Sequence, residues 1–168
     1  LAATGPEIKE GHIPFVIVPS EKLLSLSKKI PLMEVDGKRG FTTLDLSEFK
    51  TAEGVEIPES LAYLIVDVEN GKAMLGITPD KAIKQFKKEE RSPLTAEEGV
   101  AIVTQYPEIL KDHDLSLLGS VFEIDDGFGI ALLRKRAALE AVLELDWYFS
   151  DSSHAKWGSA SCGERVGV

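Results

Sequence analysis

Residues 61–68 read Leu-Ala-Tyr-Leu-Ile-Val-Asp-Val, and the fold depends on this stretch more than on any other. Apolar side chains occupy both alternating positions of the run, a pattern typical of a strand that lies inside a sheet and is covered on both sides. Asn70-Gly71 supplies a turn signal just beyond it. The sequence therefore predicts a central strand over 61–68, with a helix covering at least one of its faces.

The segments before this strand predict short elements. A β-branched run over 13–18, closed by Pro19, predicts a buried strand. Ser20 is placed to cap a helix over 21–29. A second short strand is expected over 32–35, and the turn-rich stretch 36–60 should contain only short elements.

Two helices are signalled after the central strand. Thr78 offers a capping hydroxyl before Pro79 at the first helical position, and this helix should run to about Glu90. Thr95-Ala96-Glu97-Glu98 is a capping box, in which the Thr95 and Glu98 side chains bond each other's backbone amides. The helix that it starts should end at Pro107.

The segment from Leu115 onward changes to short apolar runs separated by turns. Strands are predicted over 115–122, 129–133 and 142–149, with a hairpin turn at Asp125-Asp126-Gly127. The stretch 136–145 is also rich in helix-forming residues, so a helix is the alternative there.

These elements together predict an α+β fold: a mostly antiparallel sheet with two or three helices packed on it, ending in a C-terminal β-meander. The connections between the last three strands are too short for parallel crossovers, which favours the meander. Residues 1–168 are expected to form a single domain, because a chain of this length with 43% hydrophobic residues suffices for one core.

The charge balance excludes some classes of partner. The net charge is −9, from acidic residues scattered along the whole chain. An acidic surface repels phosphate backbones and anionic lipids, and the basic stripe of nucleic-acid modules is missing. We therefore expect neither nucleic acid nor membrane as a partner.

Cysteine content indicates the compartment. Cys162 is the single cysteine, so an intrachain disulfide is impossible and a reducing, cytoplasmic location fits best. The longest apolar runs fall far short of the roughly 20 residues of a membrane helix. His12, His113, His154 and Cys162 are dispersed without the paired spacing of zinc sites, so we predict no metal and no cofactor.

The densest group of reactive side chains lies at 154–165. Gly158 and Gly163 have the glycine spacing of a phosphate-binding loop, but Glu164 and Arg165 follow where Lys and a hydroxyl are needed. Neither serine of the segment is flanked by the glycines of a nucleophile elbow. The phosphate-binding loop and the nucleophile elbow are therefore both excluded for this segment.

The leading hypothesis is a non-catalytic domain that binds a small polar ligand or a protein. An aromatic platform, hydroxyls and a guanidinium would form its surface: His154, Trp157, Ser159, Ser161 and Arg165. The alternative for these residues is structural, with the Trp in the core and the two Ser on the outward face of an edge strand.

A second hypothesis makes the protein a small cysteine-dependent hydrolase or transferase. Cys162 would be the nucleophile and His154 its base, with Asp151 or Asp146 orienting the imidazole. The chain must reverse between the two residues for them to meet, since eight residues of extended strand span roughly 26 Å.

The chain also resembles a bacterial family catalogued only as a domain of unknown function. The blocks that carry the likeness span nearly the whole sequence: 13–16, Thr78-Pro79-Asp80, Ser92-Pro93-Leu94-Thr95 with Glu97-Glu98-Gly99, 117–120, and His154 with Gly158-Ser159-Ala160-Ser161-Cys162-Gly163. The resemblance implies a helical extension before Leu1, and a second Cys soon after 117–120, where Val121 and Phe122 stand here. It implies no substrate, cofactor or catalytic residue.

Overall fold

The computed structural model describes residues 11–137 and 141–168, and their strands form two sheets. The five-stranded sheet contains β1 (His12–Pro19), β5 (Ala62–Glu69), β6 (Ser92–Pro93), β11 (Ser161–Cys162) and β12 (Glu164–Gly167). The seven-stranded sheet contains β2 (Glu34–Val35), β3 (Lys38–Phe41), β4 (Lys50–Thr51), β7 (Asp114–Ile124), β8 (Gly127–Ala137), β9 (Ala141–Phe149) and β10 (Trp157–Ser159). The α-helices of these residues are α1 (Leu26–Lys29), α2 (Pro79–Lys88) and α3 (Ala96–Gln105).

The predicted central strand is β5, and it lies inside the five-stranded sheet. It pairs antiparallel with β1 on one side and with β11 and β12 on the other. Tyr63, Ile65 and Val68 are buried, whereas Leu64 and Val66 on the opposite face are only half-buried. The prediction of a strand covered on both sides is therefore wrong for the outer face.

The described pairings of the five-stranded sheet are antiparallel, as predicted, whereas the seven-stranded sheet is mixed. The predicted strands over 115–122, 129–133 and 142–149 lie in β7, β8 and β9, which pair antiparallel in chain order. Two short strands from distant segments extend the sheet in parallel, β10 beside β7 and β3 beside β9. Strands β10 to β12 follow in the chain, so the three-stranded unit is embedded in the fold rather than C-terminal.

The helical alternative for 136–145 is wrong where the structure describes it. Residues 141–149 form β9, and Arg136 pairs with Val142 across the strands. Residues 138–140 of this prediction, like residues 1–10 of the predicted domain, lie outside the described residues.

Helix α3 occupies the space between the two sheets. It contacts β1 on one side and β7 and β8 on the other. Its apolar side chains lie on all faces, with Val100, Ile102 and Val103 almost fully buried, as expected of a helix enclosed in a core. One core cluster consequently spans both sheets and α3. A second cluster lies on the far face of the seven-stranded sheet, where α2 covers it with Ala82 and Phe86.

The structure agrees with the predicted starts of α2 and α3 but not with the predicted start of the first helix. The helix predicted over 21–29 is limited to α1, because the Glu21 carboxylate accepts a hydrogen bond from the Leu26 amide (2.8 Å) and leaves 21–25 as turns. Pro79 begins α2 as predicted, although the Thr78 hydroxyl makes no capping bond. The capping box of Thr95 and Glu98 is confirmed.

At Ile17 the outer edge of β1 bonds a side chain, and none of the described strands pairs with that edge. The Gln105 amide group donates to the Ile17 carbonyl (2.7 Å) and accepts from the Ile17 amide (3.3 Å). Pro19, at the end of the strand, has no amide to offer. The last residue of α3 thus occupies the hydrogen-bonding positions that a neighbouring strand would take.

The start of α3 lies close against β7 because residue 119 is glycine. A Cβ at Gly119 would lie 2.7 Å from the Leu94 carbonyl carbon and oxygen, both backbone atoms. The Gly119 amide donates to that same carbonyl (2.7 Å). This contact sets the distance between the helix start and the sheet.

We expect Gly119→Ala to destabilise the protein by about 1–3 kcal/mol, since the methyl group must push two backbone segments apart. Urea unfolding followed by circular dichroism measures the change. Gly167→Ala is the matched control, because its Cβ would lie 3.4 Å from the nearest atom, an ordinary contact. Equal stabilities of the two variants would contradict the close approach at Gly119.

Candidate functional site

The C-terminal segment predicted to bind a ligand is divided between the two sheets. Trp157 and Ser159 belong to β10 in the seven-stranded sheet, whereas Ser161 and Arg165 belong to β11 and β12 in the five-stranded sheet. Ser159 and Ser161 are 3% and 1% exposed, so both hydroxyls lie inside the protein. The five residues therefore do not form one surface.

The aromatic part of the predicted set lies at the protein surface. The exposed His154 ring stands 5.2 Å from the Trp157 ring, and its Nδ1 accepts from the Lys156 amide (3.1 Å). Trp157 packs on Tyr148 at 4.5 Å and joins the core cluster beneath α2. Trp157 is thus half-buried between two rings, and the structural alternative describes part of its role.

Cys162 lies in a setting unlike that of a catalytic thiol. Its side chain is fully buried in β11, and burial raises the pKa of the thiol to about 11. Reactive thiols have lowered pKa values and partial exposure. No described hydrogen bond joins Cys162 to His154, and Asp146 forms an ion pair with Arg134 instead of orienting an imidazole.

Arg165 is held by partners on the protein. Its Nε and Nη2 donate to the two Glu98 carboxylate oxygens (2.6 and 3.0 Å), and it also donates to Ser92 Oγ and the Pro93 carbonyl. Burial acts to lower the pKa of Arg165, but the hydrogen bond and the charge of Glu98 outweigh it and raise that pKa. The Nε, Nη1 and Nη2 groups of Arg165 therefore donate to the protein itself rather than toward a ligand.

Glu98 is the centre of this buried network. Glu98 is 0% exposed, and its carboxylate also accepts from the Tyr63 hydroxyl (3.0 Å) and the Thr95 amide (2.9 Å). Burial, with the Glu98 charge, raises the pKa of Tyr63. The network joins β5, β12 and the start of α3, and sequence analysis detected only its capping box.

A second polar cluster surrounds Asp67 in the middle of β5. Asp67 has a φ of +54°, which is unusual for a residue other than glycine. Arg91 donates to its carboxylate (2.6 Å) and to Ser161 Oγ (2.8 Å), and His12 lies 2.5 Å from the other carboxylate oxygen. The hydrogen bond from Arg91 lowers the pKa of Asp67 against the opposing effect of burial. The cluster stabilises a strained strand position and occupies the Ser161 hydroxyl.

A groove of about 650 Å³ opens over the start of α3. Apolar and hydroxyl side chains alternate along its lining, together with five charged residues: Ser20, Glu21, Lys22, Leu26, Ser27, Leu46, Ser47, Phe49, Lys50, Thr51, Ile57, Pro58, Glu59, Ser60, Tyr63, Thr95, Ala96, Glu97 and Ser120. These residues come from five separate segments of the chain: 20–27, 46–51, 57–63, 95–97 and residue 120. The groove exists only in the folded protein.

The floor of the groove is the first turn of α3. The Ala96 amide donates to Ser120 Oγ (2.7 Å), and the Glu98 amide donates to Thr95 Oγ1 (3.3 Å). The buried Lys29 ammonium donates to Glu97 (2.7 Å) and to the Pro19 carbonyl (2.6 Å), which brings the end of β1 beside the helix. Burial raises the pKa of Glu97, opposed by the hydrogen bond from Lys29.

Ser20 follows Pro19 and differs from the other polar groups of the floor. It is 9% exposed, and its Oγ is a buried side-chain oxygen without a hydrogen-bond partner among the described residues. The sequence predicted Ser20 as the cap of a helix over 21–29. Ser20 does not have that role, because residues 21–25 are not helical. No sequence signal linked Ser20 to Thr95 or Ser120, because these residues are 75 or more positions apart.

Other candidate sites are weaker. A pocket of about 230 Å³ is bordered by His12, His113 and Tyr106, but His113 Nε2 already bonds the Asn70 carbonyl (2.7 Å). Within the described ranges, no three His, Cys, Asp or Glu side chains are placed to hold a metal ion. None of the described helices has the length and apolar character needed to cross a membrane.

Comparison with known proteins identifies one family. The model of a family described as "Family of unknown function (DUF5701)" matches residues 2–168. No curated protein and no solved structure matches the chain.

We expect Arg165→Met to destabilise the protein by about 3–5 kcal/mol, because it leaves the Glu98 carboxylate buried without its cation. Thermal and urea unfolding measure the loss. The double variant Glu98→Gln with Arg165→Met should be more stable than Arg165→Met alone, since the unpaired charge is then removed. A double variant less stable than the single one would contradict this account of the pair.

Cys162 should not react with an aromatic disulfide reagent in the folded protein between pH 7 and 9, because burial raises its pKa to about 11. The unfolded chain should react with one equivalent, with a midpoint near the free-thiol value of about 8.5. Absorbance of the released thiolate provides the measurement. Reaction of the folded protein with a midpoint below about 8.5 would instead support the cysteine-dependent hydrolase or transferase.

Proposed function

Because the chain belongs to the family of unknown function DUF5701, we propose a function from its own geometry: a non-catalytic domain that binds a small ligand in the groove over the start of α3. The proposal keeps the class of function expected from the sequence. It moves the binding site from the C-terminal segment to the groove.

The unpartnered hydroxyl of Ser20 is the observation that carries the proposal. A buried polar group without a hydrogen bond costs about 1–3 kcal/mol, and native structures contain few of them. Ser20 borders the groove while its Oγ lies beneath the surface, so rotation of this side chain toward a ligand is the available source of the missing bond. A cost retained in the free protein and relieved on binding is typical of a binding site.

The groove also has the size and lining of a ligand site. Its volume of about 650 Å³ lies within the range of roughly 300–1,000 Å³ typical of small-molecule pockets. Leu26, Leu46, Phe49 and Ile57 supply apolar walls, and the hydroxyls lie at the helix start. An apolar body with a polar group at one end fits this arrangement.

The chemistry of the lining supports binding rather than catalysis. The residues that border the groove include hydroxyls but neither His nor Cys. Lys29, the buried amine beside it, donates to Glu97 and to the Pro19 carbonyl and is therefore engaged by the protein. A serine nucleophile would need an adjacent base with a free lone pair.

The C-terminal segment supports the groove indirectly in this proposal. Arg165 holds Glu98, and Glu98 bonds the Thr95 amide at the groove floor. His154 and Trp157 lie on the seven-stranded sheet and take no part. We also infer that residues 1–168 form one domain, with the acidic charge and single Cys supporting a cytoplasmic protein.

An uncharged fluorescent probe, N-phenyl-1-naphthylamine, tests the site. We expect its emission to rise on binding, and amide resonances of Ser20, Ala96, Glu97 and Ser120 to shift in a titration followed by NMR. Ser27→Phe, at an exposed position of the lining, should fill the groove and reduce the probe's affinity at least about fivefold, since bulky groups exclude it.

Ser153→Phe is the matched control, an exposed serine outside the groove. It should bind the probe like the unmodified protein. Resonance shifts confined to another surface, or equal affinities of the two Phe variants, would overturn the proposed function.

A further inference from the structure

Three serine and threonine hydroxyls of the groove belong to residues that are more than nine-tenths buried, in addition to the Tyr63 hydroxyl, which donates to Glu98. Ser20, Thr95 and Ser120 are 9%, 6% and 7% exposed, and all three border the groove. They come from the end of β1, the cap of α3 and strand β7. The fold brings them to one place, the first turn of the helix.

The hydrogen bonds of these hydroxyls leave their protons unused. Thr95 Oγ1 accepts from the Glu98 amide, and Ser120 Oγ accepts from the Ala96 amide. In both bonds the hydroxyl is the acceptor, and no described residue accepts the O–H of either one. Ser20 Oγ has no partner among the described residues. The groove floor therefore offers hydrogen-bond donors, and its complement is an acceptor.

The charges around the groove determine which acceptor fits. Two lysines and three glutamates border the groove: Lys22, Lys50, Glu21, Glu59 and Glu97. The ammonium of Lys29 lies 2.7 Å from Glu97. When Lys29 is included, the described residues around the groove supply three lysine ammonium groups and three glutamate carboxylates. No surplus charge of either sign remains to stabilise an ion removed from water, a transfer that is costly without a partner.

We propose that the groove binds an uncharged molecule that carries a carbonyl-type acceptor on an apolar body, with the acceptor directed at Ser20 and Ser120. This inference rests on the proposed function and adds the class of ligand. The apolar body lies against Leu26, Leu46 and Phe49, and the carbonyl oxygen accepts from the hydroxyls at the start of α3.

Three probes that share one apolar body test the ligand class: 4-phenylbutanamide, 4-phenylbutanoate and 4-phenylbutylammonium. NMR titrations at pH 7 and fixed salt give each Kd and the residues in contact. We expect the amide to bind about tenfold more tightly than either ion, the ratio that corresponds to one well-formed hydrogen bond kept without the cost of a buried charge.

Ser20→Ala separates a role in binding from a role in the fold. It should weaken amide binding about three- to tenfold while leaving the melting temperature of the free protein unchanged or higher, because Ser20 Oγ bonds no described residue. Ser153→Ala is the control, because Ser153 is exposed and lies outside the groove. It should bind the amide normally.

The outcomes distinguish the two proposals. Binding of none of the three probes in the groove would overturn the proposed function. Binding in the groove with an ion as tight as the amide, or with amide affinity unchanged by Ser20→Ala, would leave the function standing and overturn the ligand class.

Discussion

The Glu98 carboxylate, fully buried and held by Arg165, is the interaction on which the rest of the structure depends. A carboxylate inside a protein is tolerable only when its charge and lone pairs are satisfied. Arg165 from β12, Tyr63 from β5 and the Thr95 amide from the helix start provide that satisfaction. One ionised side chain thus fixes the position of α3 relative to the five-stranded sheet, and Gly119 fixes it relative to the other sheet.

This constraint links the two polar regions of the molecule. Arg91 joins Asp67 to Ser161, and two residues after Ser161 the chain turns at Gly163 toward Arg165 and Glu98. The groove floor is therefore held from behind by the buried ion pair of Arg165 and Glu98, while its front presents hydroxyls. A preorganised floor of this kind loses little conformational freedom when a ligand binds.

Much of the fold could be predicted from local patterns, because those patterns act over a few residues. The strand of 62–69, the capping box at Thr95 and the hairpin at Asp125-Asp126 follow from burial, capping and turn chemistry. The parallel strands of the second sheet depend on pairing between distant residues such as Gly40 and Leu143. The groove likewise joins residues far apart in the chain, such as Ser20 and Ser120. The C-terminal segment was chosen for its reactive residue types, yet those side chains serve as structural partners. Sequence shows which groups a residue carries, but only the fold shows which of them are already engaged.

The hydrogen bonds between Gln105 and the Ile17 peptide group affect the tendency of the protein to associate in a crowded solution. The Ile17 peptide group would otherwise be free to pair with a strand of another molecule, beside exposed Phe15 and Ile17 side chains. A primary amide can match both the donor and the acceptor of a peptide group, whereas a carboxylate cannot. Deamidation of Gln105 during ageing would replace the donor to the Ile17 carbonyl with a second acceptor, and the edge of β1 would then be free at Ile17 to pair with a strand of another molecule.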